Sequence, residues 1–321
     1  MKVINLIFTD YDSSYDPKKQ LIYRLLSEDF EINMEGKPDF IISCGLGFDH
    51  VKYHDCVKIL WTGENCVPNF NWFDYAIGFD YLSFNDRYLR VPLYAFYMQD
   101  MERVARRCCR LDSEMAQRCL NRGFCSFVVS NGDGDPMRRL FFEKLSQYKR
   151  VDSGGRYLNN VGGPVRDKFE FCSKYKFNIA FENSSSPGYV TEKILQAYAA
   201  DTVPIYYGDP SVERDFSLSS MVRVIDDADI DRAVAEIIRL DQDDSAYMDV
   251  LSQRSFAYDD PNLYNNRLKA FFCNIFSQDI QAARRRVRYG YQSIQAHRLA
   301  PILYSYQRVK AIASYGARLF R

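Results

Sequence analysis

Short apolar runs alternate with longer segments of helical period from one end of the chain to the other. Val3 to Phe8, Phe40 to Cys44, Lys58 to Trp61 and Tyr75 to Phe79 read as strands, and Lys18 to Ser27 as a helix following the first of them. A polar helix at Leu111 to Asn121 marks the expected crossing to a second domain, which opens on a strand at Phe124 to Val129. There the theme repeats. Pro136 to Tyr148 predicts a helix, Phe177 to Phe181 a strand, Val190 to Ala200 a helix and Val203 to Tyr207 a strand, with further helices at Asp229 to Leu240, Ser245 to Gln253 and Asn262 to Phe276. Such alternation predicts an α/β protein with two Rossmann-like domains that bind ligands at the carboxyl ends of parallel strands. It equally permits several kinds of two-domain α/β enzyme. The expected divisions are residues 1–122, 123–279 and a tail, 280–321.

Charge changes the picture at the tail. Ile280 to Arg321 holds nine of the Lys and Arg residues and no acid, so the preceding residues carry net −9 in a chain of zero net charge. A body of that sign has no reason to attract nucleic acid. Leu299, Ile302, Tyr306, Val309, Ile312 and Leu319 recur at helical steps within the basic segment, which predicts an amphipathic helix suited to an anionic membrane surface. The nine cysteines form no CxxC pair, and their odd number fits reduced thiols in the cytoplasm better than a disulfide framework. Aromatic residues make up 15% of the chain, an excess that suits carbohydrate or nucleotide contact but reads more simply as packing.

The chemistry concentrates in Tyr175 to Ile194, which reads strand, Ser-rich loop, helix. Free backbone N–H groups and the positive dipole end at such a helix start form a natural phosphate site, and Lys193 adds a full charge there. The neighbouring Glu192 has two readings: acceptor for ribose hydroxyls, or an acid compensating the helix dipole. Glu182, at the strand end, is open between a structural and a chemical role.

The run FENSSSPGYVTEKILQAY at 181–198, with TVPIYYGDP at 202–210, closely resembles the donor-binding signature of glycosyltransferase family 10, the α1,3/1,4-fucosyltransferases. Trp61 to Asn65 with Asn69 to Asp80 and Leu89 to Tyr94, and Phe127 to Asn131 with Pro136 to Arg138, are similar to further blocks of its bacterial members, in the family's order. The resemblance implies a GT-B fold, two Rossmann-like domains facing across a cleft. It implies an enzyme that inverts the anomeric centre as it moves L-fucose from GDP-β-L-fucose to the GlcNAc of an N-acetyllactosamine-type acceptor, in Lewis-antigen synthesis on surface lipopolysaccharide. Carried over by position, Glu64 is the general base. Arg138, Asn183, Tyr189, Glu192 and Lys193 bind the donor, with Arg138 and Lys193 on the phosphates, Tyr189 packed on fucose or base and Glu192 on ribose. No metal ligand and no required cofactor is implied. The segment from Tyr97 to Arg122 departs from the family pattern, and acceptor preference is not carried over through it.

Two metal-like patterns have plainer readings. Asp133-Gly134-Asp135 has the DxD form that holds a cation against a diphosphate, but Asp135 before Pro136 is better read as a helix cap. His50 and His54, at i, i+4 spacing beside Asp49 and Asp55, read as a solvated helix face rather than a chelate. Two alternatives to fucosyl transfer remain on the sequence alone: a related inverting transferase with another nucleotide sugar, and a catalytically silent glycan- or nucleotide-binding protein.

Overall fold

The structure is a computed structural model that describes residues 1–12, 14–106 and 113–287. Beyond these it describes positions 289–291, 294, 295, 298, 299, 301–303, 305, 306 and 309. It divides into two compact units, Met1–Val91 with Asn262–Arg321, and Pro92–Pro261.

The first unit opens with β1 (Lys2–Thr9), α1 (Leu21–Ser27), β2 (Phe30–Asn33), β3 (Phe40–Ser43), β4 (Val57–Trp61), β5 (Tyr75–Gly78) and β6 (Tyr88–Arg90). Its six strands pair in parallel in the order β2-β1-β3-β4-β5-β6. β3 and β5 are buried at every position, which is why they read as unbroken apolar runs rather than as alternating ones.

The second unit adds α2 (Met98–Ala105), α3 (Ser113–Leu120), β7 (Gly123–Phe127), α4 (Met137–Ser146), β8 (Val151–Ser153), α5 (Lys168–Cys172) and β9 (Tyr175–Phe181). It continues through α6 (Glu192–Ala199), β10 (Val203–Tyr207), β11 (Val222–Arg223), α7 (Ile230–Gln242) and α8 (Asp244–Leu251). Its parallel sheet runs β11-β10-β9-β7-β8, so the strand order reverses between β7 and β9. Aromatic rings fill this core: Phe141 meets Phe181 at 5.0 Å and Phe177 meets Tyr247 at 5.6 Å. Phe127, Phe141, Phe177, Phe181, Tyr198, Tyr206 and Phe216 are among the largest fully buried side chains, so much of the aromatic excess is packing. The α/β class and the two Rossmann-like sheets agree with the GT-B expectation.

The boundaries differ from those read in the sequence. The chain leaves the first unit at Val91, not at 122, because Tyr94 is buried with its ring 4.9 Å from Phe216 and its hydroxyl 3.2 Å from Asp215 Oδ1. The chain then returns to the first unit with α9 (Leu263–Ser277) and α10 (Ile280–Ala283). Phe276 packs edge-on against Phe30 and Phe40, at 5.4 and 4.6 Å, and its carbonyl accepts Lys2 Nζ at 2.6 Å. Residues 262–279 therefore do not belong to the second unit.

The tail also differs. Arg284, Arg285 and Arg286, expected as part of a basic surface, are bound into the first unit. Arg286 Nη1 pairs with the fully buried Asp74, whose carboxylate also accepts Arg286 N at 2.8 Å and Lys58 N at 2.7 Å. Arg284 donates to His54 O at 3.0 Å and Arg285 to Asp86 at 3.1 Å. Further on, Leu299, Ile302, Tyr306 and Val309 are exposed and lie at helical positions, while Ile312 and Leu319 fall outside the described residues.

Removing one partner of a buried ion pair leaves the other charge buried alone, which costs about 3–5 kcal/mol. Arg286→Ala is accordingly expected to lower the denaturant midpoint sharply, whereas a chain ending at Val287 should melt like the full one. Equal melting of Arg286→Ala and the parent chain in urea would show that Asp74 is satisfied without it.

Candidate active site

In an open parallel sheet the loops after the strands on either side of the reversal splay apart and leave a crevice at the carboxyl ends. In the second unit these are the loops after β7 and β9, and they carry Arg138 on one side and residues 182–193 on the other.

After β7 the chain turns through Ser130 to Asp135 into α4. Asp135 Oδ1 accepts Met137 N at 2.9 Å, the cap expected of it, and Oδ2 accepts the Tyr207 hydroxyl at 2.8 Å. Both carboxylate oxygens of the second acid in the DxD pattern thus have donors. Among the described residues, no group of three His, Cys, Asp or Glu side chains is arranged to hold a metal ion. In the first turn of the helix, Arg138 is 1% exposed. Its Nη2 donates to Phe181 O at 3.2 Å and to Asn183 Oδ1, and its Nε, also buried, has no partner among the described residues. The acceptors this cation meets among the described residues are neutral. Burial pulls its pKa down against the more distant attraction of Glu182 and other groups.

After β9 the loop is organised around Glu182, which is fully buried. Its Oε1 accepts Thr191 N at 2.7 Å, and its Oε2 accepts Thr191 Oγ1 at 2.6 Å and Lys193 Nζ at 3.1 Å. Burial pushes the carboxyl above its usual range, against the pull of Lys193 and Thr191. Lys193 Nζ also reaches Thr191 Oγ1 at 2.8 Å and Glu192 Oε1 at 3.4 Å. Burial alone would favour the neutral amine, but Glu182 and Glu192 outweigh it and raise the Lys193 pKa. Burial likewise works against the charged form of Glu192, and here Lys193 and Lys168 win and lower the pKa.

The sequence-predicted residues fall in the second unit with one exception. Arg138 and Asn183 are in contact, Glu192 and Lys193 are in contact, and Tyr189 is buried within the same loop at 4% exposure. The helix start is modified from the expectation of free amides, since Thr191 N–H is taken by Glu182. An internal anion already occupies part of the site a phosphate would find. Gly208 belongs here too, because a Cβ on it would lie 2.5 Å from Glu182 Cγ. Nothing in the local sequence signalled that contact.

Glu64 is in the first unit, exposed on the loop that follows β4 at the carboxyl end of that sheet. Its N–H donates to Thr62 Oγ1 at 3.2 Å and its carbonyl accepts Cys66 N at 2.7 Å. Strand order in this unit reverses between β1 and β3, where the structure corrects the reading of His50. The ring is not solvated. It is 3% exposed, packed against Phe73 at 4.9 Å and Trp72 at 5.3 Å, with Nδ1 2.9 Å from Asp10 Oδ2. Burial works against the Asp10 carboxylate, but His50, Ser43 and the Asp49 amide hold its pKa below the usual range. Asp10 itself adopts φ +68°, a left-handed conformation in which Asp is one of the few tolerated residues.

Comparison with known proteins agrees with this arrangement. Residues 6–97 match the N-terminal domain model of α-(1,3)-fucosyltransferase FucT, and residues 121–297 match glycosyltransferase family 10 (fucosyltransferase), C-terminal. The α-(1,3)-fucosyltransferase FucT of Helicobacter pylori is 37% identical over 303 residues, covering 82% of this chain and 63% of the relative, so the chain spans less than two thirds of that protein. A crystal structure of an α1,3-fucosyltransferase with GDP-fucose superposes with a TM-score of 0.72 at 33% identity, covering 87% of this chain and 92% of the other. A second α1,3-fucosyltransferase crystal structure gives 0.75 at 34% identity, with 87% and 91% covered. Fold and family models agree, and the chain belongs to glycosyltransferase family 10, the fucosyltransferases.

Proposed function

We propose that the chain is an inverting α1,3-fucosyltransferase that moves L-fucose from GDP-β-L-fucose to the GlcNAc of an N-acetyllactosamine-type glycan. The observation that carries the reading is the Arg138 guanidinium, buried among neutral acceptors with an Nε that has no partner among the described residues. A desolvated cation without an anion in contact is a strong attractor for a phosphate. Likeness to the α1,3-fucosyltransferases supports GDP-fucose as the source of that phosphate.

As the bond from fucose to the diphosphate breaks, negative charge gathers on GDP while the sugar passes through an oxocarbenium-like state. Arg138 and Lys193 stabilise the departing diphosphate, Glu192 accepts from the ribose hydroxyls, and Asn183 and Tyr189 complete the donor pocket. Glu64 takes the proton of the acceptor hydroxyl as it attacks the face away from GDP, which inverts the anomeric centre. The chain's own cations supply the charge, so no cofactor enters the proposal. The product is a Lewis-type epitope on lipopolysaccharide, made in the cytoplasm by a protein resting on the inner face of the membrane. Arg284 to Arg286 are paired with the first unit, so the membrane-directed charge is the six Lys and Arg residues between Arg288 and Arg321. Ending the chain at Val287 should then abolish binding to anionic vesicles at low salt and leave transfer in solution unchanged. Undiminished vesicle binding would remove the membrane role.

The deciding assay measures GDP release from GDP-fucose with and without N-acetyllactosamine, beside GDP-mannose and UDP-sugars. Acceptor-dependent release from GDP-fucose alone is expected. Release from another donor would favour a different transferase, and none at all a silent binding protein. Lys193→Ala and Arg138→Ala should each cost about 2–4 kcal/mol of transition-state stabilisation in kcat/KM. Near-normal turnover in either variant takes that residue out of the site.

Glu64→Gln keeps the shape but cannot take a proton. GDP affinity by calorimetry should be unchanged, because the proposed nucleotide contacts lie in the second unit, while transfer falls by about 10²–10⁴. Preserved kcat at saturating acceptor with a raised acceptor KM would make Glu64 a binding residue instead.

A further inference from the structure

We infer that Glu182 is a positioning residue for the transfer: its carboxylate seats the Lys193 ammonium and the first turn of α6, leaving Glu192 as the partner Lys193 gives up to the donor. The inference rests on the fucosyl-transfer reading above. It assigns a task to a buried acid that the proposed mechanism does not use.

An ammonium has three hydrogens to donate. Among the described residues, Lys193 Nζ has three oxygen neighbours, Thr191 Oγ1 at 2.8 Å, Glu182 Oε2 at 3.1 Å and Glu192 Oε1 at 3.4 Å. All three donor positions are therefore taken before any substrate arrives, and a phosphate oxygen can enter only by displacing one of them. The contacts are unequal. Glu182 is fully buried, while the Glu192 side chain is 21% exposed and makes the longest of the three bonds. Breaking the contact with Glu182 would strand a carboxylate in the protein interior, whereas releasing Glu192 returns it toward solvent or toward the ribose hydroxyls of the entering nucleotide. A single exchange thus presents Lys193 to the diphosphate and Glu192 to the ribose together.

The carboxylate is itself held from both sides. Its own backbone N–H donates to Tyr207 O at 2.8 Å, fixing the end of β9 against β10. On the other flank Gly208 comes so close that even a methyl group would collide with Glu182 Cγ. Thr191 supplies both its backbone N–H and its hydroxyl, so the carboxylate, the residue before α6 and the lysine two residues on move as one body. The negative charge also stands at the positive end of α6, where it stabilises the helix start and takes the amide that a phosphate would otherwise have used.

The test is a double-mutant cycle between Glu182→Gln and Lys193→Ala, read by steady-state transfer from GDP-fucose to N-acetyllactosamine and by calorimetry with GDP. The amide keeps the shape of Glu182 but sets an N–H₂ against either Thr191 or Lys193. In the parent chain, Glu182→Gln is expected to lower kcat by about tenfold or more while the GDP Kd moves by less than about threefold. In the Lys193→Ala background the same change should alter kcat by less than about twofold, because the partner through which it acts is gone. Equal losses in both backgrounds, or an unchanged kcat in Glu182→Gln, would overturn the assignment. If Glu182→Gln does not fold, Thr191→Val severs the hydroxyl link while keeping the carboxylate, and the same coupling to Lys193 is required of it. A parent chain that neither binds GDP nor transfers fucose would overturn the functional reading itself, and this inference with it.

Discussion

Charges in the second unit are buried at the carboxyl ends of a parallel sheet, and the rest of the site is arranged around answering them. Taking an ion out of water costs several kcal/mol unless opposite charge or well-placed dipoles replace the hydration. Glu182 obtains that replacement from Thr191 and Lys193, with bonds of 2.6 to 3.1 Å. Arg138, across the strand reversal, obtains from the described residues only carbonyl oxygens and the Asn183 amide oxygen. The two ions are therefore differently prepared for the diphosphate of the proposed donor. Glu182 is already satisfied and has nothing to gain from rearranging, while Arg138 is held in place by dipoles and still short of an anion.

The first unit uses the same device for a different end. Asp74 and Asp10 are buried acids near opposite ends of the sheet. Asp74 draws Arg286 back from the far end of the sequence, so that α9, α10 and the three arginines close on a unit whose strands all lie before residue 91. Asp10 gathers Ser43, Asp49 and His50 at the carboxyl end of β1, tying down the loop after β3 next to the strand reversal. Both are cases where the fold depends on a pair of residues far apart in sequence.

That distance explains what the sequence disclosed and what it hid. The central strands were legible because burial on both faces makes them continuous apolar runs, and most of the proposed donor residues were legible because they are local: Asn183 to Lys193 lie in one strand-loop-helix, while Arg138 stands apart in α4. The edge elements β6, β8 and β11 were missed because two or three residues give no periodicity to read. The domain crossing was misplaced because nothing in Val91-Pro92 distinguishes a crossing from a turn; only the burial of Tyr94 against Phe216 settles it. His50 looked solvated from its spacing to His54, yet the segment is a four-residue 3-10 helix, Asp49–Lys52, that ends before His54, so the two share no helix face. The run at 284–286 looked like free charge because its acidic partners, Asp55, Asp74 and Asp86, lie about two hundred residues earlier.

The two proposed halves of the chemistry also differ in how far they are prepared before substrate binds. Arg138, Glu182 and Tyr189 are desolvated already, so water need not be cleared from them and their orientation is fixed by the fold. Glu64 stands in solvent, located by two local backbone hydrogen bonds rather than by packing of its side chain. A carboxylate in that setting is well hydrated, and hydration competes with proton abstraction from a sugar hydroxyl. The acceptor must then do for Glu64 what the fold has done for the donor residues, covering it and aligning it as it arrives. On this account most of the proposed donor residues, Asn183 to Lys193, lie in one contiguous stretch, and Arg138 joins them from the loop and helix after β7. Acceptor recognition depends on whichever surfaces shield one exposed glutamate, and these need not be contiguous at all.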